Sequence, residues 1–350
     1  VFLFLQVFMF SLTSPVSNAA NVGYVETLGL PGYERTFALP SDLVTLSDQS
    51  LLILDRNKYA IYKLVGNTLS TFATFKRNYP SYSTGDEPCA MDVSPAGEVY
   101  VVNCSQTILS RFSRDGNLIA PISIQLNGVT DRGFDWGGGL AIDSKSNVYL
   151  SDEKNSVILK VNSSTGYTEN FAGQIGVRGR ADGIKTQSTF NVPRGLAIDN
   201  KDNLYVADYS SYRIRKIDSL GQVTTIEKEV CLPTGIKIDS QGNLIVVSEY
   251  YCGSRIVSLT TSGNLTTILD DSLESMGNVA YAVIGKLTLG SYAAIGVEVS
   301  VNPSTSEEVY VVTDGLNGSI KFFDRRGKII RVLGGTDVFG VKDRKSTRLN

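Results

Sequence analysis

Short apolar runs broken by polar turns recur along most of the chain. The stretch Pro193–Asp218, PRGLAIDNKDNLYVADYSSYRIRKID, shows the pattern clearly. Leu196–Asp199 is apolar and ends in the turn Asn200–Asn203. Leu204–Ala207 follows and ends at Asp208. Tyr209–Ser211 then leads into Tyr212–Ile217. Runs this short, bounded by Asn, Asp, Ser and Gly, predict an antiparallel meander.

The meander repeats. Pro40–Leu64, Pro88–Phe112 and Gly137–Val161 align with it without gaps. A fifth copy starts at Pro233 and needs two extra residues before Arg255. A sixth, Gly296–Phe323, needs about four in its first turn. The copy starts lie 40 to 61 residues apart, which leaves room for a fourth strand. That strand is predicted at Leu69–Ala73, Tyr167–Ala172, Val223–Ile226, Leu265–Leu269 and Lys328–Leu333. In the first strand, the column Leu43, Met91, Leu140, Leu196, Ile236, Val297 is apolar throughout. The next column, Val44, Asp92, Ala141, Ala197, Lys237, Glu298, is variable. This alternation predicts an inner strand with one face always packed. Four-stranded units of this length, repeated six times, predict an all-β, six-bladed β-propeller of antiparallel blades.

The run P-x-G-L-A-I-D, then N-L-Y-V-A-D, then R-I-x-K, resembles the NHL repeat. So does the connector Gly173–Asn191, with its D-G and its closing F-N-x-P. The resemblance covers about residues 38–336 and implies a six-bladed propeller. Tryptophan–aspartate propellers fit less well, because the chain has one Trp and no His.

The ends depart from this pattern. Residues 1–19 combine an apolar run of about twelve residues with small residues at Ser17 and Ala19. They read as a secretory signal peptide, truncated at its start and too short to span a membrane. Residues 20–37 form an N-terminal segment in which Tyr24–Leu30 could add a closing strand. Residues 337–350 are a tail, of which 343–350 look non-native. The expected location is extracellular, or periplasmic in a bacterium.

Composition narrows the chemistry. Formal net charge is −2, so nucleic acid is not an expected partner, although some NHL propellers bind RNA through a basic face. Histidine is absent, which removes Ser-His-Asp and Cys-His catalysis and His-ligated zinc or iron. A metal would need oxygen ligands, as calcium does.

Four groups of residues are candidates. Cys89 and Cys104 lie equidistant from the turn centred between Ala96 and Gly97, as do Cys231 and Cys252 around Gln241 and Gly242. Two hairpin disulfides are therefore expected. Asp55, Asn103, Asp152, Asp208, Ser248 and Thr313 end the second strands. They read either as a ring of oxygen ligands at the channel mouth or as turn caps, and turn capping explains the repetition copy by copy. Asp92, Lys237 and Glu298 face the channel, as a metal site or as a structural Lys237–Glu298 pair; a Lys there opposes a cation. Tyr209, Tyr212 and Arg213, with Arg215 and Lys216 beside them, form a candidate ligand face. The connectors 173–191 and about 271–292 are long enough to be functional loops. Sequons at Asn103, Asn162, Asn264 and Asn317 are candidate glycosylation sites.

The expected function is a secreted binding or scaffold module, without a cofactor, holding a protein or carbohydrate ligand on one loop face. The alternative is a calcium-dependent hydrolase or lyase in the channel, similar to lactonases and strictosidine-synthase-like propellers.

Overall fold

The computed structural model describes residues 36–75, 87–103, 108–125, 139–227, 229–248, 255–270, 296–302, 305–314 and 318–334. These residues form six antiparallel sheets, each drawn from one continuous part of the sequence. Blade 1 is β1 (Pro40–Thr45), β2 (Leu51–Asp55), β3 (Ala60–Val65) and β4 (Thr68–Thr74). Blade 2 is β5 (Pro88–Val93), β6 (Val99–Asn103), β7 (Ile108–Phe112) and β8 (Leu118–Ser123). Blade 3 is β9 (Leu140–Ile142), β10 (Val148–Asp152), β11 (Val157–Val161) and β12 (Thr168–Ala172). A short strand β13 (Gly183–Ile184) precedes blade 4, which is β14 (Pro193–Ile198), β15 (Leu204–Asp208), β16 (Arg213–Ile217) and β17 (Gln222–Glu227). Blade 5 is β18 (Pro233–Ile238), β19 (Leu244–Ser248), β20 (Arg255–Leu259) and β21 (Leu265–Asp270). Blade 6 is β22 (Val297–Val301), β23 (Glu308–Asp314), β24 (Ser319–Phe323) and β25 (Ile329–Gly334).

The predicted architecture is therefore the observed one, with two additions. β8 has no counterpart among the predicted strands, because Leu118–Ser123 is largely exposed and interrupted by Pro121. Proline is tolerated there because an outer strand leaves one edge unpaired. β13 comes from the connector expected to be structureless. It pairs with β17 and gives blade 4 a fifth strand.

Innermost strands meet around a ring, β1 with β5, β5 with β9, β9 with β14, β14 with β18, β18 with β22 and β22 with β1. The core is divided among the blade interfaces. Leu43 and Ile53 pack on Val309 and Val311 of blade 6, whereas Val44 and Leu52 pack on Met91 and Val101 of blade 2. Successive residues of one strand thus serve successive interfaces, so both sheet faces are buried. The column expected to be variable is accordingly not a solvated face. Ala141 and Ala197 are 2% and 5% exposed.

Ring closure follows the same rule. Phe37 and blade 1 pack directly on blade 6, and Arg331 Nη1 donates to the Gly66 carbonyl at 3.0 Å. β25 is the fourth strand of blade 6, at the position predicted for it. The possible closing strand Tyr24–Leu30, the segment 1–35 and the tail from 335 lie outside the described residues.

Candidate functional site

Six innermost strands line the channel. The register places the aligned residues at equivalent strand positions. Asp92 pairs with Tyr100, Ala197 with Tyr205, Lys237 with Ile245 and Glu298 with Val311. Lys237 and Glu298 sit on adjacent blades, with Nζ and Oε2 3.4 Å apart. Glu298 Oε2 is buried and has no hydrogen-bond partner among the described residues. The contact is therefore an ion pair rather than a well-directed hydrogen bond.

Asp42 joins this group, and the sequence reading missed it. It occupies the position before the apolar column, which elsewhere reads Ala90, Gly139, Gly195, Gly235 and Gly296. Glycine at Gly139, Gly195 and Gly296 lets the next blade's backbone come close. A Cβ on Gly195 would lie 2.4 Å from the Thr234 carbonyl oxygen, and one on Gly296 would lie 2.6 Å from the Asp42 Cα. Blade 1 instead carries a carboxylate. Asp42 Oδ1 accepts the Leu43 N–H, and Oδ2 accepts the Met91 N–H at 2.8 Å. Asp92 repeats the bridge one blade on, with Oδ2 accepting the Ile142 N–H at 3.0 Å. An innermost strand has an unpaired edge, and these carboxylates satisfy part of it. The signal was available in the sequence as one Asp in a column of Gly and Ala.

The electrostatics follow from burial. Burial pushes Asp42 up to about 6, against the lowering effect of Lys237 and of the Met91 and Leu43 N–H groups. Burial also raises Asp92. Glu298 rises to about 7, through burial first, with Lys237 opposing and Asp92 and Asp42 adding to it. Burial alone would lower Lys237, but Glu298, Asp92 and Asp42 outweigh it and hold the ammonium charged.

This set does not suit a metal ion. The Lys237 ammonium stands among its carboxylates and repels a cation. Among the described residues, no group of three or more His, Cys, Asp and Glu is arranged to hold one.

The carboxylates at the second-strand ends are buried and point into the blades. Asp55 accepts the Ala38, Leu39 and Lys58 N–H groups. Asp152 accepts the Asn155 N–H and side-chain amide. Asp208 accepts the Asn191 N–H and pairs with Arg215 at 3.1 Å, and burial raises it to about 6. In blade 6 the equivalent residue is Asp314, paired with Lys321 at 2.8 Å, not Thr313. Thr313 Oγ1 instead accepts the Gly296 N–H. The shift arises in the longer first turn of that copy. These residues are caps and braces, not a ring at the channel mouth.

The Tyr-Arg cluster separates into a buried part and an exposed part. Arg215 is fully buried. It bonds Asp208, Asp182 and the Thr189 and Ala181 carbonyls, and lies over the Phe190 ring. It ties the connector to blade 4. Phe190 is itself buried between blades 3 and 4. Toward solvent, the Arg194 guanidinium lies 3.6 Å over the Tyr209 ring and pairs with Glu153 of blade 3 at 3.0 Å. Tyr212 is left-handed (φ 60°) and 41% exposed. Tyr59 and Ser156 adopt the same conformation before β3 and β11, so this is a repeated feature of the turn. Arg213 donates to the Arg180 carbonyl at 3.0 Å. The connector near 271–292 lies outside the described residues.

The cysteine geometry needs correction. Val93 pairs with Val99, so the blade 2 hairpin centres on Ala96, and the register shifts again between Pro88 and Ala90, at Cys89. Blade 5 has the same offset, with Ile238 opposite Leu244 and a shift between Pro233 and Gly235. Mirror symmetry about the turn therefore does not by itself pair the cysteines. No described cysteine is a free thiol, and Cys104 and Cys252 lie outside the described residues. Of the sequons, Asn162 and Asn264 are exposed, Asn103 is buried, and Asn317 is outside the described residues. No helix among the described residues is long and apolar enough to cross a membrane.

Comparisons with known proteins agree with this geometry. Residues 190–217 match the NHL repeat. No curated protein matches the sequence. Among solved structures, a streptogramin B lyase aligns with TM-score 0.56 and 14% identity, over 87% of this chain and 85% of that one. A catalytically inactive histidine-to-alanine variant of virginiamycin B lyase from Staphylococcus aureus, with quinupristin, aligns with TM-score 0.55 and 14% identity over 87% and 86%. A gluconolactonase from Xanthomonas campestris aligns with TM-score 0.54 and 12% identity over 80% and 85%. At such identity these likenesses describe the fold. The chain thus carries an NHL repeat at residues 190–217 within a six-bladed β-propeller.

Proposed function

We propose that this propeller is a binding module that docks a protein partner on the loop face around Tyr209, Tyr212 and Arg213. The supporting observation is the braced, partly exposed aromatic pair. Arg194 stacks on Tyr209 while paired to Glu153, and Tyr212 stays exposed beside them. Tyr and Arg held in fixed positions suit an interface anchor, because little side-chain entropy is lost on docking. In the same reading the protein is secreted or periplasmic, and Cys89–Cys104 and Cys231–Cys252 bridges brace this face. Non-reducing peptide mapping tests the pairing.

The enzyme reading gains less support. A lyase of similar fold is described as inactive once a histidine is replaced, and this chain has no histidine. A calcium-dependent lactonase would need a cation where Lys237 stands.

The test uses a displayed peptide library and a glycan array as probes. Peptides selected on the wild-type protein are expected to bind the Tyr209→Ala/Tyr212→Ala/Arg213→Ala variant at least about tenfold more weakly. Selected peptides that bind the variant equally, or binding to glycans alone, would overturn the proposal. So would stoichiometric calcium with chelator-sensitive lactone turnover.

A further inference from the structure

The channel is uneven. Its blade 3 and blade 4 side carries Ala141 and Ala197 at the column that holds Asp92, Lys237 and Glu298 elsewhere. The space these alanines leave is part of a cavity of about 250 Å³. Its walls include Leu196, Ile238 and the two alanines, with Asp92 on one flank and Lys237 on the other. Asp92 belongs to blade 2 and Lys237 to blade 5, which are opposite each other in a ring of six. Apolar side chains beside a few convergent polar groups are the usual make-up of a small-molecule site, and this cavity is somewhat smaller than the roughly 300–1,000 Å³ such sites span, so only a small ligand fits.

We propose that this cavity binds a small apolar amino acid as its zwitterion, with the ligand carboxylate on Lys237, its ammonium on Asp92 and its side chain over Ala141 and Ala197.

Three observations select that chemistry. The two polar walls have opposite sign and face each other, so a ligand with one positive and one negative end satisfies both. The walls also retain bonding capacity. The Lys237 ammonium has three donors and meets Glu298 at 3.4 Å, and the Asp92 carboxylate has lone pairs beyond those that accept backbone N–H groups. Finally, Asp42, Asp92 and Glu298 already surround one lysine. A carboxylic acid without an amine would add negative charge to that cluster. A zwitterion adds no net charge to a buried site, where net charge is costly. The alanines then set the ligand's size, because a larger residue at either position would fill the space.

Titration calorimetry on the intact protein tests this site separately from the loop face. The probes are L-leucine, 4-methylpentanoate (no ammonium) and 3-methylbutylamine (no carboxylate). Leucine is expected to bind, and each analogue to bind at least about tenfold more weakly. Ala197→Leu fills the cavity while leaving every charged residue in place, and is expected to abolish leucine binding. Asp92→Asn is expected to narrow the preference for leucine over 4-methylpentanoate. Circular dichroism confirms that each variant is folded, and where Ala197→Leu does not fold, Ala141→Val replaces it. No heat with leucine up to about 10 mM overturns the proposal. So does equal binding of the analogues, or undiminished leucine binding in a folded cavity-filled variant.

Discussion

The two sides of the channel are built on the same strand position and behave oppositely. On blades 2, 5 and 6 that position holds Asp92, Lys237 and Glu298, and Asp42 of blade 1 joins them from a neighbouring position. On blades 3 and 4 it holds alanine, and the space is open. The backbone is nearly the same in each blade, so the repeat tolerates both solutions. What differs is how the edge of the innermost strand and the next blade are met. On the charged side, carboxylates reach across to backbone N–H groups of the following blade. Between blades 3 and 4, and between blades 4 and 5, glycines let the backbones approach directly. Symmetry of fold therefore does not extend to symmetry of chemistry.

The largest expected effect comes from removing the cluster's cation, Lys237. Lys237→Met leaves three buried carboxylates without compensation and is expected to cost about 3–5 kcal/mol near neutral pH. Urea unfolding measures it. The loss is expected to shrink toward about pH 5, because Asp42, Asp92 and Glu298 are all raised and take up protons in the folded state. A pH-independent loss would show that Lys237 acts by packing.

Asp42→Ala tests the bridge between blades 1 and 2. It leaves the Met91 N–H without its acceptor and is expected to cost about 1–3 kcal/mol. Asp42→Asn keeps an acceptor and is expected to cost less. Equal losses in the two variants would mean that the charge matters and the bridge does not.

Glu298→Gln sharpens the comparison through pH. A carboxyl raised on folding binds more protons in the folded state. Its unfavourable contribution is therefore absent below the unfolded pKa and complete above the folded one. For Glu298 the window runs from 4.5 to about 7. The wild-type protein is expected to lose stability as pH rises through this window, and the Gln variant to show a flatter profile. Parallel profiles would remove Glu298 from the charged cluster. The smallest effect is expected on the apolar side, where Ala197→Ser should change stability by less than about 1 kcal/mol. A larger loss there would show that the cavity wall is as constrained as the charged cluster.

Much of this was legible in the sequence, for reasons that can be traced to residues. The apolar column from Leu43 to Val297 and the turns between strands marked the repeat, because each copy must bury the same positions against its neighbours. The Lys237–Glu298 pair followed from aligning copies. Asp42 did not, because the column examined was the next but one. Arg215 was grouped with exposed arginines, although only the return of the connector buries it. The register around the cysteines is offset because the blade 2 hairpin centres on Ala96 rather than between Ala96 and Gly97 and shifts again at Cys89, while the pairing partners Cys104 and Cys252 lie outside the described residues.

The sequence by itself determined the number of blades, most of their strands and the column that holds Asp92, Lys237 and Glu298. Those depend on local periodicity and on repetition, and both are written along the chain. The tertiary structure decided which column members meet. Asp42 and Met91 are 49 residues apart, and Asp92 and Ile142 are 50 apart, yet each pair is joined by one hydrogen bond. Closing the ring also sets Asp92 and Lys237 on opposite sides of a cavity that alanines on two other blades keep open. Charge, burial and space at that place belong to no single repeat, because each arises from several blades brought together around one axis.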